Sequence, residues 1–344
     1  MTPPELAYRK GFGTVEAVAK FQAVVLSGDM LSINSALPVT PRKQTDADIF
    51  ACKVRRSDLT VERNTRPVLV PVGSPEFDAE AQFVLDVAAT RDTLLADLPE
   101  TYPLGMREVS YFMRDVTVQP YKVGQDYCTD QANYDNVQAG NLPLETQELE
   151  PGGPVLITTG RHAARYVHDD NPMTPFLRAV GEMISLGIPY RKESDLETSK
   201  CDAFSNWGPP FFIGLLGETV RRCGMLSFRQ KWKLMVPRPE QYIKEKLGEF
   251  LPLAYVEGSP THPSTNAMHS AVAIAQKQLL FGIFDVTAEL PSGNTVGYEL
   301  ELLASNIGLW RVTAGVHYPG DHEAARANAE AIGELIAKEA LNPA

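Results

Sequence analysis

The sequence predicts a mainly α protein folded as a helical bundle, and three observations carry that expectation. From about residue 159 onward, seven stretches repeat apolar residues at i, i+3, i+4 spacing. Few stretches alternate with period two over more than four residues. A 44% hydrophobic content with 22% charged residues over 344 positions supplies the apolar mass for a real core.

Taken in order, helical patterning begins at about 12–27 and returns at 74–98, where Ser74-Pro75-Glu76 reads as a cap followed by Pro at the first helical position. Between them lies a polar, extended region containing Arg66-Pro67-Val68-Leu69-Val70-Pro71-Val72-Gly73. Residues 100–152 read as a long loop ending near Pro151-Gly152-Gly153. Helices are then expected at 159–171, 174–188, 210–235, 240–251, 268–284, 298–315 and 321–341. In the fifth of these, Ala271, Ile274, Ala275, Leu279 and Phe281 form a candidate inward face. Two regions are expected: 1–150, a helical and loop segment that joins or covers the bundle, and 151–344, the bundle that carries the chemistry.

Composition narrows the function. With 32 basic and 43 acidic residues the net charge is −11, and no long Lys/Arg block is present, so nucleic acid is not expected as a partner. The longest apolar runs, such as Phe211–Gly217, fall far short of the ~18 residues a membrane span needs. The first residues carry no apolar signal-like run, so a soluble chain is expected, with its compartment open. Cys52, Cys128, Cys201 and Cys223 form no CxxC pair, and buried free thiols are expected of them.

All six histidines fall between 162 and 322, alongside three charged fragments. Lys231 and Arg238-Pro239 stand two helical turns apart. The loop Glu257-Gly-Ser-Pro-Thr-His262-Pro-Ser264-Thr-Asn266-Ala267-Met268-His269 delivers a histidine to a helix N-terminus, where free amide donors favour an anion. Arg311, His317 and Asp321 form the third fragment, with Arg311 and His317 expected on one helix that ends at Pro319-Gly320. Together they offer two Arg, one Lys and two His, a donor set suited to a tetrahedral oxyanion.

The order K-x6-R-P, a Pro-Ser loop closing on His, then R-x5-H-x3-D resembles the signature of vanadium-dependent haloperoxidases, shared with a superfamily of acid phosphatases. His262, seven residues before His269, and the phrase Glu257-Gly-Ser-Pro-Thr-His-Pro-Ser resemble the algal-type bromoperoxidases. Thr158-Thr159-Gly160-Arg161, Tyr166-Val167-His168-Asp169 and Phe204…Gly208-Pro209 extend the likeness over roughly 155–325.

The resemblance implies a helical bundle holding vanadate, a site that phosphate could also occupy. It implies hydrogen peroxide, a halide (bromide first) and a small organic acceptor as reactants, and a homodimer. His317 would ligate vanadium, while Lys231, Arg238 and Arg311, with the Met268 backbone, bind the oxygens. His269 would be the acid–base and Lys231 would polarise the bound peroxide. His262 would flank the halide, and Asp169 would pair with an active-site arginine.

Three departures accompany the likeness. Ala267 and Met268 stand where the family has Ser and Gly, removing one charge-assisted donor worth ~1.5–3 kcal/mol. Asn266 or Ser264 are the candidate replacements, and Met268 would be strained if the loop needs a positive φ. Trp310 replaces a Ser before Arg311, and the Lys-to-Arg gap is one residue short, leaving Lys233 as an alternative to Lys231. Two other readings stay open. One is an acid phosphatase of the same fold, with His317 attacking phosphorus; the other is a non-redox homologue that has lost vanadate chemistry.

Overall fold

The computed structural model describes residues 70–141, 143–169, 172–191 and 208–341. The expected helix at 12–27, Cys52, Cys201 and Phe204 lie outside them. Eight helices of two turns or more order the described chain: α1 Pro75–Ala89, α2 Gln131–Gln138, α3 Gly160–Asp169, α4 Thr174–Ser185, α5 Pro209–Leu234, α6 Met268–Ile283, α7 Val296–Thr313 and α8 Pro319–Leu341. A short antiparallel ribbon, β1 Thr117–Val118 with β2 Val155–Leu156, pairs Thr117 with Leu156 and Val118 with Val155. The mainly α expectation holds.

The bundle is organised around α6, which is apolar on nearly every side and therefore central. Ala271, Ile274, Ala275 and Leu279 are buried as expected, whereas Phe281 is only half-buried. Helices α5, α7 and α8 surround it. The approach of α8 to α6 depends on small residues: a Cβ on Gly333 would meet the Ala275 carbonyl at 2.3 Å, and one on Gly282 would meet Ala337 Cβ at 2.5 Å. Larger side chains there would push the two axes apart.

Helix α1 joins this core: its Phe77, Ala81, Val84 and Val87 are buried in the same cluster. Ser74 caps α1 as expected, accepting from Phe77 N at 3.3 Å. The helix stops at Ala89 rather than running to 98. Arg91 is pulled inward, where it donates from Nε to Thr313 O at 2.8 Å and from Nη2 to Pro252 O at 2.8 Å, and pairs with Asp126. Tertiary demand at one buried arginine outweighs local helix propensity.

Two further expectations need correction. Residues 100–152 are not all loop: α2 forms there, capped by Asp130, whose Oδ1 accepts from Asn133 N at 2.9 Å. Residues 240–251 are not one helix. A single turn, Pro239–Tyr242, runs into a wide turn at Ile243–Leu247 that ends at Gly248 with φ 76°.

Candidate active site

Lys231 lies in the last turn of α5, fully buried, and its Nζ donates to Pro263 O at 3.0 Å and Ser264 O at 2.9 Å. Lys233, the alternative, is exposed. The helix does not continue to Arg238. It ends at Met235 with φ 59°, and Arg238 is the N-cap of the turn that Pro239 starts rather than the residue before a terminator. That reversal turns the buried guanidinium back onto the loop. It donates to His262 O at 2.8 Å and Val316 O at 2.6 Å, and bonds His262 Nδ1 at 2.9 Å and His317 Nε2 at 3.0 Å.

Arg311 and His317 do not share a helix. Helix α7 closes at Thr313 with paired bonds from Val316 N to Arg311 O (3.2 Å) and Gly315 N to Val312 O (2.8 Å), with Gly315 at φ 86°. His317 follows in the tight connection to α8. Its Nδ1 bonds Asp321 Oδ2 at 2.7 Å, which fixes the ring and aims Nε2 at Arg238. Asp321 is held in turn by Ser264 Oγ (2.5 Å) and Tyr318 N (3.1 Å).

Arg311, only 5% exposed, donates from Nη1 to Val167 O at 2.6 Å and to Tyr255 Oη at 3.3 Å, and its Nε is buried without a hydrogen-bond partner. His269, second residue of α6 and half-buried, shares with Arg311 the wall of a cavity of about 390 Å³. Asp169 ends α3. Met268 opens α6, and the positive φ of this loop falls instead on Asn266 (58°), so Met268 is unstrained.

The electrostatics describe an anion site. Burial, then Arg238, holds the Lys231 ammonium well below its usual range. Burial pulls Arg238 down to about 10 against the opposing pull of Glu240 and Asp321. His317 is driven well down by burial and then by Arg238, Lys231 and Arg311; His262 is driven down by burial and then by Lys231 and Arg238. Burial raises Asp321. Three cations thus converge beside two buried carboxylates that are already engaged, Asp321 with His317 and Glu240 with Ser259, and a bound anion would relieve the cations' mutual repulsion.

The replacement donors are committed elsewhere. Ser264 Oγ donates to Asp321; Asn266 Oδ1 accepts from Ser227 Oγ at 2.8 Å, and its Nδ2 pairs with Gln230. Trp310 is buried edge-on to Tyr166.

Sequence reasoning missed Tyr255, Glu257 and His168 as neighbours of the site. His168 bonds Glu257 at 2.6 Å and stacks on Tyr255 at 3.9 Å. Glu257 opens the loop that ends at His269 and His168 lies in a stretch that carries the likeness, but nothing in the sequence pairs His168 with residues about ninety positions away. Among the described residues, no group of three His, Cys, Asp or Glu gathers to hold a metal cation. The donors fit a group that is itself an oxyanion. Cys128 and Cys223 are buried, and the Cys223 thiol donates to Ala271 O at 3.3 Å.

No family model matches the chain. It is 26% identical over 272 residues to a vanadium-dependent bromoperoxidase of Corallina pilulifera and 25% identical over 271 residues to that of Corallina officinalis. Each match covers 58% of this chain and 45% of the relative, so the chain spans under half the length of the curated relatives it matches. A vanadate-dependent bromoperoxidase of Ascophyllum nodosum, described as homohexameric, superposes with a TM-score of 0.64 at 18% identity, over 77% of this chain and 64% of that one. The chain is therefore similar in sequence to vanadium-dependent bromoperoxidases and shares their helical fold.

Proposed function

We propose that the chain is a vanadate-dependent haloperoxidase that oxidises halide, bromide first, with hydrogen peroxide to a hypohalous-acid equivalent. One observation carries this reading. Three buried cations and an Asp321-fixed imidazole face one another, while the Nε–H of Arg311 lacks a partner. That donor set fits vanadate, a highly charged tetrahedral oxyanion.

His317 would hold the vanadium through Nε2, with Asp321 keeping the proton on Nδ1. Lys231, Arg238, Arg311 and the N–H of Met268 at the start of α6 would hold the oxygens. Bound vanadate would supply Lewis-acid activation of peroxide. His269, on the cavity wall, exchanges protons with the entering peroxide. Lys231 would present its charge to the oxygens of the bound group, where it would draw electron density from them. His262, edge-on to Phe228 at 5.0 Å, borders the path of the halide. Asp169 ends α3, the helix whose Val167 carbonyl accepts from Arg311.

Bromide oxidation measured with and without added orthovanadate, beside p-nitrophenyl phosphate hydrolysis, tests the assignment. Vanadate-dependent oxidation supports it. Phosphate-ester hydrolysis without oxidation replaces it with the phosphatase reading, and inactivity in both assays with the non-redox one.

A further inference from the structure

The outer wall of the cavity holds a second constellation that the proposed chemistry does not yet use. His168, at the C-terminal end of α3, is bracketed on both ring nitrogens. Nε2 bonds Glu257 Oε1 at 2.6 Å, and Nδ1 bonds the Tyr121 hydroxyl. Its ring lies flat on Tyr255 at 3.9 Å, and Tyr255 Oη accepts from Arg311. His168, Tyr255 and Glu257 line the same cavity as His269 and Arg311. The side chain of Glu257 is half exposed and that of His168 is 23% exposed, so the pair runs from solvent to the cavity interior.

This bracket accommodates both protonation states of the ring. A neutral imidazole donates from Nε2 to Glu257 and accepts from the Tyr121 hydroxyl at Nδ1; a protonated one donates from both nitrogens, with the Tyr121 oxygen accepting. No hydrogen bond need break as the proton comes and goes. The charges facing the ring are Glu257 from the loop before α6, Arg311 from α7 and Arg165 from α3, which lies 5.2 Å over the Tyr121 ring. Burial works against the charge on Glu257, but the hydrogen bond and electrostatic pull of His168, with a backbone hydrogen bond and Arg311, together outweigh it and hold its carboxyl below the usual range.

We propose that Glu257 and His168 form a proton-delivery arm: Glu257, open to solvent and lining the cavity, takes up the proton and passes it through the cavity to His269, while His168, held at Nδ1 by Tyr121, orients the carboxyl group. The inference rests on the haloperoxidase reading, whose chemistry consumes a proton: H2O2 + X⁻ + H⁺ → HOX + H2O. The halide gives up two electrons and the O–O bond takes them. One oxygen stays with the halogen, and the other leaves as water carrying the proton taken up. Each turnover therefore draws one proton from solvent, and the arm is the polar chain reaching the cavity from outside.

The test uses the full chain loaded with orthovanadate and its Glu257→Gln and His168→Gln variants, assayed for bromide oxidation at rising concentrations of imidazole buffer. In dilute buffer, kcat falls about tenfold in both variants. It climbs back toward wild type as imidazole carries the proton instead. KM for bromide and the vanadate dissociation constant from equilibrium dialysis stay within twofold. Without added vanadate, proton NMR of the wild type shows a strongly hydrogen-bonded imidazole N–H that both variants lack. A loss of kcat that buffer concentration does not restore, or one that tracks weakened vanadate binding, overturns the arm and leaves a structural pair. A wild type that oxidises no bromide with vanadate present overturns the functional reading itself.

Discussion

Ala267 is the position at which the proposed oxyanion site is one donor short. Ser264 and Asn266, the two neighbours able to replace a hydroxyl, are tied to Asp321 and to Ser227 and Gln230. Ala267→Ser should therefore add a charge-assisted bond without displacing an existing one. A gain of ~1.5–3 kcal/mol corresponds to a roughly ten- to hundredfold lower vanadate dissociation constant by equilibrium dialysis. No gain would show that the loop does not point residue 267 at the anion. Lys231 and Lys233 offer a second contrast. Lys231→Ala removes a buried cation and should slow bromide oxidation by a hundredfold or so. The exposed Lys233→Ala should leave kcat where it was, and an equal loss at both would place the functional ammonium elsewhere.

At the scale of elements, the site is assembled by how helices end. Helix α5 stops about one turn short of Arg238, and α7 closes on Gly315, so both Arg238 and His317 lie in connections rather than on helix faces. Gly315 at φ 86° has Leu253 Cδ2 within 2.8 Å of where a Cβ would sit. Gly315→Ala should cost about 1–3 kcal/mol in urea melts and weaken vanadate binding, because the same turn sets His317. Full stability with full vanadate affinity would show that the turn is not what places the imidazole. The sequence made the helices legible because i, i+3, i+4 spacing survives wherever a face is buried. It gave no view of the reversal at Met235 or of the break in α1, since these answer to Arg238 and Arg91 reaching partners far along the chain. Helix α2 escaped notice because it is polar and rests on the Asp130 cap rather than on an apolar stripe.

At the scale of the whole molecule, stability should follow the buried titrating groups. Burial and then Arg326 pull His322 down to about 4, and His262 and His317 also lie well below their ordinary value. A histidine with a lowered folded pKa leaves stability intact above its unfolded value of ~6.5 and forfeits up to about 1.4 kcal/mol per pH unit as pH falls below it. Glu80 works the other way. Burial, then Asp321, raises it to about 7, so its contribution is present below ~4.5 and is lost as pH rises through 7. With His162, His262, His317 and His322 lowered against Glu80 and Asp321 raised, the urea midpoint should fall from pH 6.5 to 4.5, and more steeply in Glu80→Gln. A flat profile, or a shallower one in that variant, would contradict these assignments. The candidate site residues were legible as three fragments because each pairs a cation or histidine with turn-forming residues. Glu257, His168 and Tyr255 were not, because only the fold brings them to the cavity. The central claim is that an Asp321-fixed His317 ringed by three buried cations holds vanadate. Equilibrium dialysis of the wild type and His317→Ala against orthovanadate tests it most directly. Vanadium should bind stoichiometrically to the wild type and be lost from the variant, whereas equal vanadium in both would contradict the role of His317.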